Sequence, residues 1–567
     1  MSGRDSVSRR RLLQIASISG IASLAGCVDE VPLVHQALFE EQEIGEFEFQ
    51  ELAHDRGFHY TYKEPELDDM IDLTSDAGVY VSDYNNDGWE DILAIGGEEV
   101  ILFRNDSGSF ERSTALPSFE SDVNAALFFD HNNNGWDDLL LFPPKSEPVF
   151  FRNQEGEFTE DDIGIDITFQ NPVGASAADA TNNGYLDVFV IQNGDWRGRP
   201  KGTDYEEVGD DDNGNPNALF HGDGETLELA EDAGIEGDRW TLATAFVDIT
   251  GDGYPDIYSA NDFNYDVLYL NRGDGTFDRQ EMPERSDRNA MAAAVGDINQ
   301  NGKLDIFVTN IFYDEHFLAV LPVTQKRKGG NNLFINEGDG EFSDRGAAMN
   351  VHKGGWGWAA VMMDFNNDGN LEIFHTVTPQ SGTETRIARN KGQSVERTIE
   401  EYPFIHYPVM FQRLSENRFT SRHPPDIGIE KGSGRGVGAA DFMRSGTVDL
   451  AIADSWEEYQ LYENKTSGGN WLQVDVMGTA ERTPIGTKLY VSSENHELYQ
   501  VYHSNVDFLS QSSRIRHFGI GFDDEADLSV EWQDGTEHDF EDIEANQRIR
   551  VHFEGDWERI PVPGEEE

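Results

Sequence analysis

One nine-residue pattern recurs seven times and limits what this chain can fold into. DYNNDGWED begins at Asp83, DHNNNGWDD at Asp130, DATNNGYLD at Asp179, DITGDGYPD at Asp248, DINQNGKLD at Asp297 and DFNNDGNLE at Asp364. A worn copy, DFMRSGTVD, begins at Asp441. Every copy has Gly sixth and an acid ninth. The starts are spaced by 47, 49, 69, 49, 67 and 77 residues. Self-similarity at such a period marks a repeated supersecondary unit. A small or apolar segment precedes each copy (ASAA, LATAFV, MAAAVG, GVGAA), and a short β-like run follows it (ILAI, LLLF, VFVI, IFVT). An apolar pair, usually with Asn, and a Gly-rich turn come next, as in LFRNDSGSF, LYLNRGDGTF and LFINEGDGEF. Short strands separated by turn signals predict all-β units that cannot bury their faces alone. The shorter spacings suit one four-stranded propeller blade, and the longer ones carry insertions.

The pattern itself gathers hard oxygens. In the first copy Asp83, Asn85, Asp87 and Asp91 supply side-chain oxygens at positions 1, 3, 5 and 9, and the Trp89 carbonyl can add another. Gly at position 6 permits the sharp turn of an EF-hand-like loop, and oxygen ligands in a flexible loop suit Ca²⁺. A single copy would serve equally well as an Asx-turn; the recurrence favours the ion.

The repeats resemble the FG-GAP/VCBS family from about Phe47 to Asn464, which implies a seven-bladed β-propeller of the integrin-α type. The resemblance carries the calcium-ligand role to the matching positions of the next five copies. These are Asp130, Asn132, Asn134, Trp136 and Asp138; Asp179, Thr181, Asn183, Tyr185 and Asp187; Asp248, Thr250, Asp252, Tyr254 and Asp256; Asp297, Asn299, Asn301, Lys303 and Asp305; and Asp364, Asn366, Asp368, Asn370 and Glu372. Copies 1, 4 and 6 have three carboxylates at these positions and copies 2, 3 and 5 have two. Copy 7 has Met443 and Ser445 at positions 3 and 5 and is expected to hold no ion. It also lacks an outer strand of its own, whereas Phe47 to Phe58 is a spare one at the front. That segment is expected to complete blade 7 and remove a free sheet edge.

Beyond Asn470 the pattern changes to strands that read as a small β-sandwich. PIGTKLYV, SQSSRIRHFGIG and VEWQDGT resemble the ASPIC/UnbV domain, with Pro484 and Thr487 standing where small Ala is usual. Propeller and domain together make the chain similar to the cartilage acidic protein family. The fold class expected is all-β, a seven-bladed β-propeller with a small C-terminal β-sandwich-like domain. The divisions are 1–26 signal, 27–46 tether, 47–466 propeller, 467–556 ASPIC/UnbV domain and 557–567 acidic tail.

The N-terminal segment reads as targeting rather than fold. Arg9 and Arg10 precede a short apolar stretch and resemble a twin-arginine export signal. LAGC resembles a lipobox ending on Cys27, the only cysteine of the chain, so a lipid anchor there is expected to hold the exported protein on the outer face of the membrane. The net charge is −66, and only 11 of the 42 basic residues are Lys. That balance excludes nucleic acid as a partner, since phosphate binding needs a basic face. It suits a halophile's surface, where concentrated salt screens the repulsion.

The sequence has no HExxH and no G-x-S-x-G elbow. Ser510 to Ser513 lie near His517 in sequence, inside a motif with no known nucleophile. The leading expectation is a non-enzymatic calcium-binding surface or adhesion module with an unknown protein or glycan partner. The alternatives are an extracellular propeller hydrolase or lyase, and a carbohydrate-binding surface. The three long insertions, about 192–217, 311–331 and 376–412, all follow a second strand. They are expected to gather on the face opposite the metal loops and to form the partner site.

Overall fold

The structure is a computed structural model. It describes residues 44–62, 77–194, 214–312, 329–378, 394, 397 and 407–562, apart from 97–98, 120, 236, 238, 263, 284–288, 416, 456 and 505. Arg9, Arg10 and Cys27, with most of the three insertions, lie outside the described residues.

Seven antiparallel sheets, each with four strands of its own, follow one another along the chain. Their first strands are Gly78–Ser82, Ala125–Phe129, Pro172–Ala178, Trp240–Val247, Ala292–Gly296, Gly357–Met363 and Gly434–Ala440. Each touches the next, and the last touches the first, so these seven strands form a closed inner ring. Sheet 7 has only three strands from its own repeat. Its fourth is Phe49–Glu51, antiparallel to Gln460–Asn464 with Phe49 opposite Asn464. The ring is therefore closed by opposite ends of the propeller sequence, and the third strand of blade 7 is not left as an edge.

Period-2 alternation explains how the blades pack. In the first strand of blade 1, Tyr80 faces blade 2 and joins Leu93, Phe128, Leu139 and Phe151 in one apolar cluster. Its neighbours Val79 and Val81 face blade 7 and join Phe442, Ala451 and Leu461. Inner strands covered on both faces are buried along almost their whole length and mostly apolar. Outer strands such as Ser109–Arg112 bury only one residue, Phe110. The core thus lies between neighbouring blades.

Residues 470–560 form two four-stranded sheets. One is ordered Arg516–Gly521, Asn470–Met477, Gln547–His552, Trp557–Ile560; the other Glu497–Val501, Lys488–Ser492, Glu525–Glu531, Glu537–Glu544. Leu472, Val474, Leu489, Leu528 and Trp532 belong to their shared apolar core. The tail expected from 557 begins instead as strand Trp557–Ile560, which pairs with Gln547–His552. A hairpin of this domain, Val506–Asp507 with Ser510–Gln511, leaves the sandwich and adds to blade 1, Ser510 running parallel beside Val79. Phe411, placed by the sequence in an insertion, is buried in strand Val409–Ser415 of blade 6.

Candidate functional site

All seven motif loops join the first and second strands of their blades, on one face of the ring. The chain enters each loop with the same local folding. The first Asp accepts backbone N–H groups from positions 5 and 6: Asp83 from Asp87 and Gly88, Asp297 from Asn301 and Gly302, Asp364 from Asp368 and Gly369. Position 4 is left-handed in every loop, with φ 53° at Asn86, 58° at Asn133, 60° at Asn367 and 78° at Gly251. Asn tolerates that region better than most side chains.

The acid at position 9 reaches the third strand. Asp91 accepts the backbone N–H of Asn105 at 2.7 Å, and Asp305 that of Asn336 at 2.8 Å. The side chain of each such Asn then crosses to the neighbouring blade. Nδ2 of Asn105 donates to Phe442 O, that of Asn153 to Tyr84 O, that of Asn271 to Ala180 O, that of Asn336 to Ile249 O and that of Asn464 to Phe365 O. A second belt runs through position 4. Asn86 donates to Gly135 O, Asn133 to Gly184 O, Gln300 to Gly369 O, Asn367 to Gly446 O and Arg444 to Gly88 O. Copy 7, worn at its ligand positions, therefore still holds the ring closed through Arg444. The sequence showed the Asn after the third strand as a regularity but gave it no role; the two belts were not foreseen.

Asn336 is buried, with its amide fully used: Nδ2 also donates to Leu304 O, and Oδ1 accepts from Gly338. Asn336→Ala leaves two buried carbonyls and the partly buried Gly338 N–H unpaired, at about 1 kcal/mol each, roughly 3 kcal/mol in all. At an unfolding entropy near 2.1 cal/mol/K per residue, this corresponds to a melting temperature lower by about 3 °C, measurable by calorimetry.

Four of the six fuller loops have oxygen left over, whereas both position-9 oxygens of Asp138 in copy 2 and Asp256 in copy 4 are used, as in copy 7. Asp91 Oδ2 and Glu372 Oε1 at position 9, and Thr181 Oγ1 and Asn299 Oδ1 at position 3, are buried without a hydrogen-bond partner. In copy 7 both oxygens of Asp449 are used, by Asn464 N and Met443 N. Burial, aided by Glu90 and Asp87, pushes the Asp83 carboxyl up to about 8. Burial and then Asp368 push Asp364 up to about 8, and burial followed by Asp364 and Asp368 raises Glu372 well above the usual range. Burial also lifts Asp138 to about 8, and Asp256 and Asp305 to about 7. Crowded, buried carboxylates with spare lone pairs fit a hard divalent cation. Among the described residues no three His, Cys, Asp or Glu side chains gather closely enough to hold a metal by themselves. An ion held in such a loop would need neutral oxygens as well: Asn amides, the Thr181 or Thr250 hydroxyl in copies 3 and 4, or the position-7 carbonyl.

The C-terminal domain lies over these loops. Gln473 Nε2 donates to Asp441, His517 Nε2 meets Asn367 Oδ1 at 2.6 Å, and Gln533 donates to Asp179 O. Arg514 pairs with Asp137 at 2.6 Å, and Ser513 donates to Glu90. Loop 4 receives a cation directly, because Lys488 Nζ lies 3.0 Å from Asp248 Oδ2 and 3.6 Å from Glu531. A cleft of about 330 Å³ opens beside it, lined by Asp248, Asp252, Tyr254, Lys488, Gln533 and Asp534. Ser513 and His517, close in sequence, make separate contacts here, and no Ser–His hydrogen bond joins them.

A profile of FG-GAP-like repeats matches residues 83–141, 248–308 and 318–375, and one of the ASPIC and UnbV domain matches 478–556. Human cartilage acidic protein 1 is 25% identical over 340 residues, covering 56% of this chain and 46% of the relative. The mouse protein of that name is 24% identical over 412 residues, covering 68% and 56%. The chain thus spans about half the length of the curated relatives it matches. Among solved structures, BBS1N from a complex with ARL6DN aligns over 68% of this chain and 90% of its own, at 8% identity and a TM-score of 0.40, too loose a likeness to build on. The chain is a β-propeller of FG-GAP-like repeats joined to a C-terminal ASPIC and UnbV domain, related to cartilage acidic protein 1 at about 25% identity.

Proposed function

We propose that this chain is an exported, lipid-anchored, calcium-binding propeller that serves as a non-enzymatic binding or adhesion module on the cell surface. The observation that carries this reading is the place of the loops. Six of them carry the oxygen-rich pattern, and the C-terminal domain packs on copies 2, 3, 6 and 7 of the loops, with a cleft left beside loop 4. Calcium there would fix the turn between the first and second strands of each blade. The partner, a protein or a glycan, then meets another surface. The direct test is a pulldown from the native cell surface, run beside a glycan array and a hydrolase panel. Turnover of any substrate in the panel, lost on substitution of one carboxylate, would overturn the non-enzymatic reading.

Two expected results bear on parts of this proposal. Cys27→Ser should move the protein from the membrane fraction to the medium, read by fractionation and immunoblot; retention of the variant in the membrane would remove the anchor. Lys488→Gln should tighten calcium at loop 4, because the ammonium opposite Asp248 competes with the ion. At least a tenfold gain at one site is expected by titration calorimetry, about 1.4 kcal/mol.

A further inference from the structure

The short, small residues before each motif have a second consequence. The inner strands of a closed ring turn one edge towards the axis, where no further strand of the same sheet can pair with it. In this chain part of the C-terminal domain occupies that space. Leu509 O accepts from Val79 N of blade 1, and Gln511 both donates to and accepts from the backbone of Phe128 in blade 2. Ser504 Oγ accepts from Ala177 N of blade 3 at 3.4 Å. The two oxygens of Asp507 accept from Ala293 N of blade 5 and Ala360 N of blade 6. Ser512 Oγ accepts from Ala439 N of blade 7 at 3.0 Å. Six of the seven inner strands are thus bonded by one short stretch of chain.

The fit is steric as well as polar. A Cβ on Gly436 would stand 2.4 Å from Leu509 O, and one on Gly78 2.9 Å from the same atom. Only bare backbone lets the hairpin pass. At its tip Leu509 is held at φ 49°, a left-handed conformation costly for a Leu, and is completely buried. Phe508 beside it packs on Trp358, ring centroids 5.1 Å apart. A strained residue that persists this way is over-determined by its surroundings.

We propose that the axial channel is a peptide-binding site and that its ligand is this chain's own segment, Ser504 with Val506–Ser513. The segment holds the C-terminal domain on the propeller as a non-covalent partner. Recognition follows strand addition: backbone pairing along blade 1 gives attachment, and a carboxylate and a carboxamide four residues apart give specificity.

The test uses the full chain with a protease recognition sequence inserted between Ser467 and Gly468, both exposed in the connection between the two domains. After cutting, the fragments should co-elute from a sizing column at about 1 µM, as a complex tighter than that does. A synthetic peptide spanning Tyr502 to Arg514 should displace the C-terminal fragment. In D507A/Q511A the cut fragments should separate, with at least a tenfold loss of co-elution. If that variant does not fold, Asp507→Asn, which keeps the shape and one acceptor, should give partial release. Separation of the cut wild-type fragments would overturn the proposal. So would fragments of a folded channel variant that stay together as firmly as wild type, since the contacts over the loops would then suffice.

Discussion

Chelating calcium from the full chain, at fixed ionic strength, should lower its melting temperature by about 10 °C. Extracellular calcium modules bind at roughly 10⁻⁴ to 10⁻³ M. At about 10 mM calcium each loop then contributes ~1.4 to 2.7 kcal/mol by mass action. Six loops sum to about 8 to 16 kcal/mol if they act independently. An unfolding entropy near 2.1 cal/mol/K per residue, over about 500 residues, converts this to a shift of roughly ten degrees. Magnesium should not substitute, since it demands tighter octahedral geometry and gives up its waters reluctantly. The effect should be distributed: Asp87→Ala removes about one loop's share, whereas Ser445→Ala in copy 7 removes none. A shift below about 2 °C with chelator would mean that the buried oxygens of Asp91 and Glu372 are satisfied without an ion.

The propeller was legible because it is written seven times. A period near 48 residues, with Gly sixth and an acid ninth, left few all-β alternatives, and the missing outer strand of copy 7 pointed to the segment Phe47 to Phe58, within which Phe49–Glu51 forms the strand. The sandwich was legible from alternation in NWLQVDVMG and DLSVEWQDG. The docking of one domain on the other was not. Alanines before a motif read as small strand residues, and nothing local says that they surround an axis filled by Leu509 from four hundred residues away. Ser510 to Ser513 looked like chemistry because hydroxyls near a His can be chemistry. Their positions are explained by the carbonyls and amides of strands distant in sequence, such as Val79 and Ala439. Lys488 carried no signal either, since a lone Lys in a strand is ordinary until Asp248 appears beside it.

Dialysis to about 10 mM salt, with free calcium held constant, should unfold the chain. The Debye length grows from about 3 Å at 1 M to about 30 Å at 0.01 M, so each surface acid begins to feel many others. The charge to be screened is large, at −66, and several of the described basic groups are committed to the interior. Arg514 lies against Asp137, Arg550 against Asp475 and Lys488 against Asp248. The outer surface sets acids directly opposite one another across its strands. In the C-terminal domain Glu525 stands across from Glu544 and Glu531 from Glu537 on adjacent antiparallel strands. Like charges directly opposite destabilise a sheet. Circular dichroism should therefore show cooperative loss of strand signal as salt is removed, with the same midpoint in sodium and potassium chloride because screening depends on ionic strength alone. Replacing both Glu537 and Glu544, the strand partners of Glu531 and Glu525, with Lys should move that midpoint to lower salt without changing calcium stoichiometry. A native spectrum in dilute buffer would show that this acidic surface is tolerated without screening, and the halophile reading would fall while the calcium loops stood.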